Sequence, residues 1–325
     1  MFSIIIPLYN KEEYVEKALD SVRRQSEHDW ELLIIDDGST DNSYEVVQQW
    51  LNVYADVASK TQLIMQKNQG VATTRNNAVS LSKGEYIVFL DADDWWASTF
   101  LQTIKQLITD FPDAAAYATN YYYVKNRQNR VLSQGVLDGF QRGYFNYCQA
   151  YAKNLVMPIW TGAVCVRKKI FEEFSGFKPN LKLGEDFDLW IRIALEYKVA
   201  LDLSPQSYYN QDVEITKRAT RNLHRPEHHM LFNLSYLEPV EQINTDYKNL
   251  IDKLRVTGLL PYYLSSEYTL LAQEELKKVD WTRQPKHVRL TYKLPKFMIK
   301  SHRSFMCVGS KLKQRLIRLR DKRKK

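Results

Sequence analysis

Apolar residues in the first hundred positions fall into short unbroken runs separated by amphipathic stretches. Residues 86–90 are such a run, and residues 3–8, 30–35 and 62–65 are nearly so, each with one polar residue (Ser3, Glu31, Gln62). Uninterrupted apolar runs of this length predict strands buried on both faces, as in a parallel sheet covered by helices. Between them the period changes. Asn10 is placed to N-cap a helix from Lys11, with Glu13 completing a capping box, and Val15, Ala18, Leu19 and Val22 share one face of it. Helices are expected over 43–54 and 70–81. This alternation predicts a right-handed, doubly wound, mainly parallel sheet flanked by helices.

Beyond residue 110 the rhythm loosens. Residues 114–124 and 131–137 read as strands, 140–154 as a helix, and 169–174 as a short helix closed at Gly176. A longer helix is expected over 185–197 and a strand over 199–203. Ser98 is expected to N-cap the helix that follows Trp95-Trp96-Ala97. From about Pro226 the pattern is helical, most clearly over 240–256 and 265–278.

Charge changes this picture at one end only. The 325 residues carry a formal net charge of +8. Residues 286–325 hold 15 Lys/Arg against one acid, so the rest of the chain is net −6. Phe305, Val308, Leu312, Leu316 and Leu319 recur in this tail at helical spacing, with Gly309 weakening the pattern. A basic amphipathic helix suits an anionic membrane surface. A nucleic-acid role has charge in its favour but no accompanying recognition fold, so nucleic acid is not expected as a partner. Three scattered cysteines without metal spacing suggest a reducing, cytoplasmic setting. No run approaches the length of a spanning helix, and the N-terminus reads as the first strand rather than a leader.

The chemistry gathers where the apolar runs end. Pro7-Leu8-Tyr9-Asn10 and Asp36-Asp37-Gly38-Ser39-Thr40-Asp41 close neighbouring expected strands and so face one crevice. A carboxylate there can accept from a nucleobase N–H; the same stretch also reads as a turn followed by a helix cap. Asp91-Ala92-Asp93 ends a buried strand, and two carboxylates with diphosphate oxygens suit Mn²⁺ or Mg²⁺. Gly70 opens a helix whose N-terminus favours phosphate, with Arg75 as an added cation or simply a solvated side chain. Glu185, Asp186 and Asp188 begin another helix. There the dipole favours ionised acids, which fits a general base at Asp186 and equally fits acids that merely stabilise the first turn. No GxGxxG follows the first strand, which excludes a dinucleotide-dependent dehydrogenase.

Taken in order, Ser3–Asn10, Leu33–Asp41, Asn68-Gln69-Gly70 with Arg75-Asn76, Phe89–Asp94 and Gly184–Arg192 resemble the motifs of a family 2 glycosyltransferase. The likeness covers about residues 1–205. It implies the GT-A fold, a Rossmann-like doubly wound, mainly parallel sheet, with a helical C-terminal extension here. The implied division is 1–225 (nucleotide-binding half 1–110, acceptor-binding half 111–225), a helical extension 226–285 and a basic tail 286–325. The resemblance further implies a metal-dependent, inverting, non-processive enzyme. It would move a sugar from a nucleoside-diphosphate donor, UDP foremost, to a glycan or lipid-linked glycan precursor, and the basic tail would set it at the cytoplasmic face of a membrane. Asp37, Pro7, Tyr9 and Asn10 would line the nucleotide pocket with Arg75, Asp91 would lie near the ribose, and Asp93 would hold Mn²⁺ or Mg²⁺. Asp186 would be the base with Glu185 beside it, and Trp160-Thr161-Gly162 the loop under donor sugar and acceptor. For the diphosphate, Arg218 and Arg221 are candidates, together with Lys217 and His224. His228 and His229 read as isolated surface histidines. The alternative is a catalytically silent GT-A module that binds nucleotide-sugar or glycan, or scaffolds an assembly complex.

Overall fold

A computed structural model of the chain describes residues 1–126, 129–132, 139–213 and 223–300. Chain contacts divide it into two units, Met1–Leu250 and the part from Ile251 onward.

The first unit opens with the expected alternation. Its elements are β1 (Phe2–Leu8), α1 (Val15–Arg23), β2 (Trp30–Asp36), α2 (Ser43–Val53), a helical turn α3 (Ala55–Ala58), β3 (Thr61–Met65), α4 (Val71–Leu81) and β4 (Tyr86–Phe89). These four strands are parallel and stand in the order β3-β2-β1-β4. The chain leaves β1 toward β2 and later returns to its other side as β4, so a crevice opens at the carboxyl ends of β1 and β4.

The strands that follow are β5 (Trp95–Trp96), β6 (Ala116–Lys125), β7 (Asn129–Leu132), β8 (Arg142–Tyr144), β9 (Val164–Arg167) and β10 (Val199–Asn210). Among them lie α5 (Phe100–Asp110), α6 (Tyr147–Asn154), α7 (Lys168–Glu173) and α8 (Glu185–Glu196). They extend the sheet to β3-β2-β1-β4-β9-β6-β10-β5. β9 runs antiparallel to both β4 and β6, β10 runs parallel to β6, and β5, β7 and β8 pair antiparallel at the far side. The sheet is therefore mixed, parallel in its first half.

Both faces are filled. Ile4, Ile6, Leu32, Ile34 and Val88 pack with Val15, Leu19 and Val22 of α1 and Leu101, Ile104 and Leu107 of α5. On the other face Phe89 meets Phe171 at 5.8 Å and Phe177 at 5.3 Å, and Phe177 meets Trp190 edge-on at 5.8 Å. Each such pair adds about 0.5–1.5 kcal/mol beyond its buried area. The effect is to fix α8 above the end of β4.

Several expectations need correction. The helix near Lys11 begins only at Val15, and Asn10 adopts φ 52 instead of capping it. Residues 142–144, expected in a helix, pair with β10, because Arg142 bridges Asp110 at 2.7 Å and Asp202 at 3.3 Å. The helix there starts at Tyr147, capped by Asn146, whose Oδ1 accepts from Gln149 N at 3.0 Å. α5 starts at Phe100 after Thr99, so Ser98 is not its cap. The helix expected over 240–256 is broken at Asn244 into α9 (Glu238–Ile243) and α10 (Thr245–Gly258). The chain continues through α11 (Leu260–Leu264), α12 (Thr269–Lys277) and α13 (Lys286–Lys293). His229 is buried, its Nδ1 accepting from Leu231 N at 3.1 Å, and burial lowers its pKa to about 4. No helix among the described residues is long and apolar enough to cross a membrane. The tail positions from Phe305 to Leu319 lie outside the described residues.

Candidate active site

A cavity of about 510 Å³ opens at the carboxyl ends of β1, β2 and β4. Pro7, Tyr9, Asp37, Arg75, Asp91, Asp93, Trp160, Thr161, Glu185 and Asp186 line it, so ten residues far apart in sequence meet there. Two expected members do not. Asn10 turns to the neighbouring loop, its Oδ1 accepting from Thr40 N at 2.8 Å. Gly162 lies beneath the cavity, its carbonyl accepting from Trp96 Nε1 at 2.7 Å and Ser207 Oγ at 2.6 Å. Arg218, Arg221 and Lys217 lie outside the described residues, and His224 does not line the cavity.

Asp37 follows directly on β2. Its carboxylate accepts from Gln66 Nε2, Gln69 N and Gly70 N, each at 2.8 Å. A carboxylate offers about four acceptor positions. Three tie down the loop before α4, and about one remains for a ligand. Gly38 makes the turn possible: its φ is +74, and a Cβ there would come within 3.0 Å of Asn68 N.

Arg75, on α4, is 5% exposed and joins two walls of the cavity. Its Nη2 donates to Asp91 Oδ1 at 2.6 Å and its Nη1 to Glu185 Oε1 at 3.4 Å. The next residue, Asn76, exchanges two hydrogen bonds with the Phe177 backbone, at 2.7 and 3.0 Å. α4 thereby holds the chain that leads into α8.

The acidic turn after β4 is divided by its surroundings. Asp93 Oδ2 receives the Lys11 ammonium at 2.8 Å. Asp94 is buried, and its Oδ1 accepts from Asn210 N at 2.7 Å while Oδ2 has no partner. Burial, with the charges of Asp93 and Asp91 added, holds the Asp94 carboxyl well above the ordinary range. Asp94 joins the acidic turn to the end of β10.

At the opposite wall, Gly184 (φ +84) precedes α8. Burial and the adjacent Asp186 raise Glu185 to about 7, with Arg75 pulling the other way. Burial likewise raises Asp186, against a 2.7 Å bond from Phe187 N and the nearby Arg75. The helix start was expected to favour the anion, but at this site desolvation outweighs it.

The structure assigns the third acid of that run to scaffolding. Asp188 is fully buried and takes Lys178 Nζ at 2.8 Å, Arg192 Nε at 2.9 Å and Tyr236 OH at 2.5 Å.

The segment from residue 3 to residue 175 matches the model of Glycosyl transferase family 2. The chain belongs to that family. It is 37% identical over 196 residues to TuaG of Bacillus subtilis, a glycosyltransferase assigned to teichuronic acid biosynthesis, covering 59% of this chain and 71% of that one. It is 31% identical over 203 residues to WcaA of Escherichia coli, a glycosyl transferase assigned to colanic acid biosynthesis, covering 61% and 67%. Among solved structures it resembles TarS 1–349 of S. aureus, with a TM-score of 0.65 at 17% identity, over 86% of this chain and 81% of that one. It also resembles the mannosyltransferase PcManGT of Pyrobaculum calidifontis, with a TM-score of 0.54 at 17% identity, over 87% and 88%. The fold is GT-A, and the protein is a glycosyltransferase.

Within this family 2 site, sequence reasoning missed Lys11, Tyr209 and Asn210. Lys11 reads as an ordinary helix-start lysine until β1 sets it beside β4. Tyr209 and Asn210 line the cavity only because β10 runs to residue 210, well past the expected strand end.

Proposed function

We propose that this glycosyltransferase moves a sugar, with inversion, from a nucleoside-diphosphate donor to a hydroxyl of a cell-envelope glycan or its lipid-linked precursor. UDP is the nucleotide we favour. Convergence of Asp37, Asp91, Asp93 and Asp186 on one cavity carries this reading. The relatives assigned to teichuronic and colanic acid biosynthesis support a polysaccharide acceptor. TarS has been solved with UDP-GlcNAc, and PcManGT with GDP-Man and Mn²⁺.

Asp37 accepts from the base, with Pro7 and Tyr9 beside it, and Asp91 lies toward the ribose. Asp186 takes the proton of the acceptor hydroxyl, which attacks the anomeric carbon opposite the departing nucleoside diphosphate. A pKa raised toward the working pH suits a base that must both be ionised and hold a proton. Trp160 and Thr161 bound the space for the sugars.

The donor set fits a hard divalent ion. Asp93 and Asp91 present carboxylate oxygens to one cavity, and Asp93 already pairs with a cation, the Lys11 ammonium. Among the described residues no group of three ligating side chains exists, so the donor's phosphate oxygens would complete the shell. Asp93, with Asp91 beside it, would hold Mn²⁺ or Mg²⁺, which when bound neutralises charge on the diphosphate leaving group.

The test is a panel of nucleotide sugars assayed for Mn²⁺-dependent turnover, with donor affinity measured by calorimetry. Asp186→Asn should abolish transfer and leave donor affinity nearly intact. Equal loss of both would remove Asp186 from the base role. Good donor binding with no turnover of any donor by the parent would instead favour a silent module.

A further inference from the structure

The part of the chain from Ile251 onward carries an apolar face that nothing among the described residues covers. No residue of α13 is fully buried. Leu290 is 60% exposed, Leu294 45%, Phe297 70% and Met298 46%. The opposite side of the same stretch is anchored: Tyr292 OH donates to Val256 O at 2.7 Å, and Ile299 is 5% exposed. The exposed residues therefore lie on the outside of a docked element rather than on a loose one. Lys296 Nζ donates to Thr269 Oγ1 at 2.9 Å, which ties the segment after α13 to the start of α12, where Leu270 is 76% exposed. Single apolar side chains on a surface are ordinary, but a contiguous group marks an interaction site.

The charges interleaved with this face select the partner. Residues 286–300 contain five Lys/Arg and no acid, and residues 301–325 add ten more against one. A second copy of the chain would set these like charges against each other. A nucleic acid would satisfy the charges but leave Leu294 and Phe297 in water. An anionic bilayer takes both, with apolar side chains in the acyl boundary and Lys/Arg among the headgroups. We propose that Leu290, Leu294, Phe297 and Met298, with Lys286, Arg289 and Lys293, seat this protein on an anionic lipid bilayer. The proposal is independent of the catalytic reading, and it fits an acceptor carried on a lipid.

The test is sedimentation of the full chain with phosphatidylcholine–phosphatidylglycerol vesicles and with phosphatidylcholine vesicles alone. The parent should bind the anionic vesicles and leave the neutral ones. Leu294→Ser/Phe297→Ser and Lys286→Gln/Arg289→Gln/Lys293→Gln should each weaken that binding about tenfold or more. Circular dichroism and nucleotide-sugar hydrolysis should be unchanged in both. Undiminished vesicle binding by Leu294→Ser/Phe297→Ser overturns the proposal, whether the remaining attraction comes from the basic tail alone or the tail itself covers the face. So does equal binding to neutral vesicles, or a parent dimer that this variant dissociates with no change in vesicle binding.

Discussion

Arg75 Nη2 lies 2.6 Å from Asp91 Oδ1 in a setting where the guanidinium is 5% exposed. The pair joins the carboxyl end of β4 to α4, and the same guanidinium reaches Glu185 across the cavity. One buried cation thus balances acids on two walls.

Replacing Arg75 with Gln should leave Asp91 and Glu185 uncompensated. Breaking one partner from a buried pair costs about 3–5 kcal/mol, less here because Asp91 is partly exposed. Urea unfolding should show a loss of about 2–4 kcal/mol. Arg75 also lowers the pKa of both Glu185 and Asp186. Its loss should therefore move the acid limb of the kcat/KM profile to higher pH.

Glu185 makes stability depend on pH with a definite sign. Its folded-state value of about 7 lies above the ordinary glutamate value of 4.5, so the folded state binds the proton more tightly. This contribution is complete below about pH 4.5 and is lost as pH rises through about 7, a change of about 3 kcal/mol. Glu185→Gln should flatten the curve in that window, read as ΔG of unfolding at pH 5 and pH 8. A parallel curve would mean that Glu185 ionises normally.

Asp186 and Asp188 stand two residues apart and should fail in opposite ways. Asp186→Asn should unfold like the parent and lose turnover. Asp188→Ala should lose about 3–5 kcal/mol by leaving Lys178 and Arg192 unpaired, while the folded fraction keeps its kcat. Thermal melts and active-fraction kinetics on both variants separate the two roles.

Asp94 is already held well above the ordinary carboxylate range, so Asp94→Asn should cost little near neutral pH. Its amide oxygen can still accept from Asn210 N. Asp94→Leu removes that acceptor and should cost about 1–3 kcal/mol, visible in the melting temperature.

The parallel half of the sheet and the acids at its edge were legible in the chain itself. Runs such as 30–35 and 86–90 are almost continuously apolar, and burial on both faces leaves few other uses for them. The acids that follow these runs end at the crevice because parallel strands share one carboxyl edge. Long-range pairing was not legible. Residues 142–144 became a strand through Arg142 and β10, and β9 is four residues inserted antiparallel between β4 and β6.

The order of motifs determined the fold, the family and the set of acids that meet. Tertiary structure alone decided how those acids differ. Asp93 meets Lys11, Asp94 is buried against Asn210, Glu185 shares Arg75 with Asp91, and Asp188 is sealed into the scaffold. A carboxylate's chemistry follows from its desolvation and from the cation beside it, and both are set by residues distant in the chain.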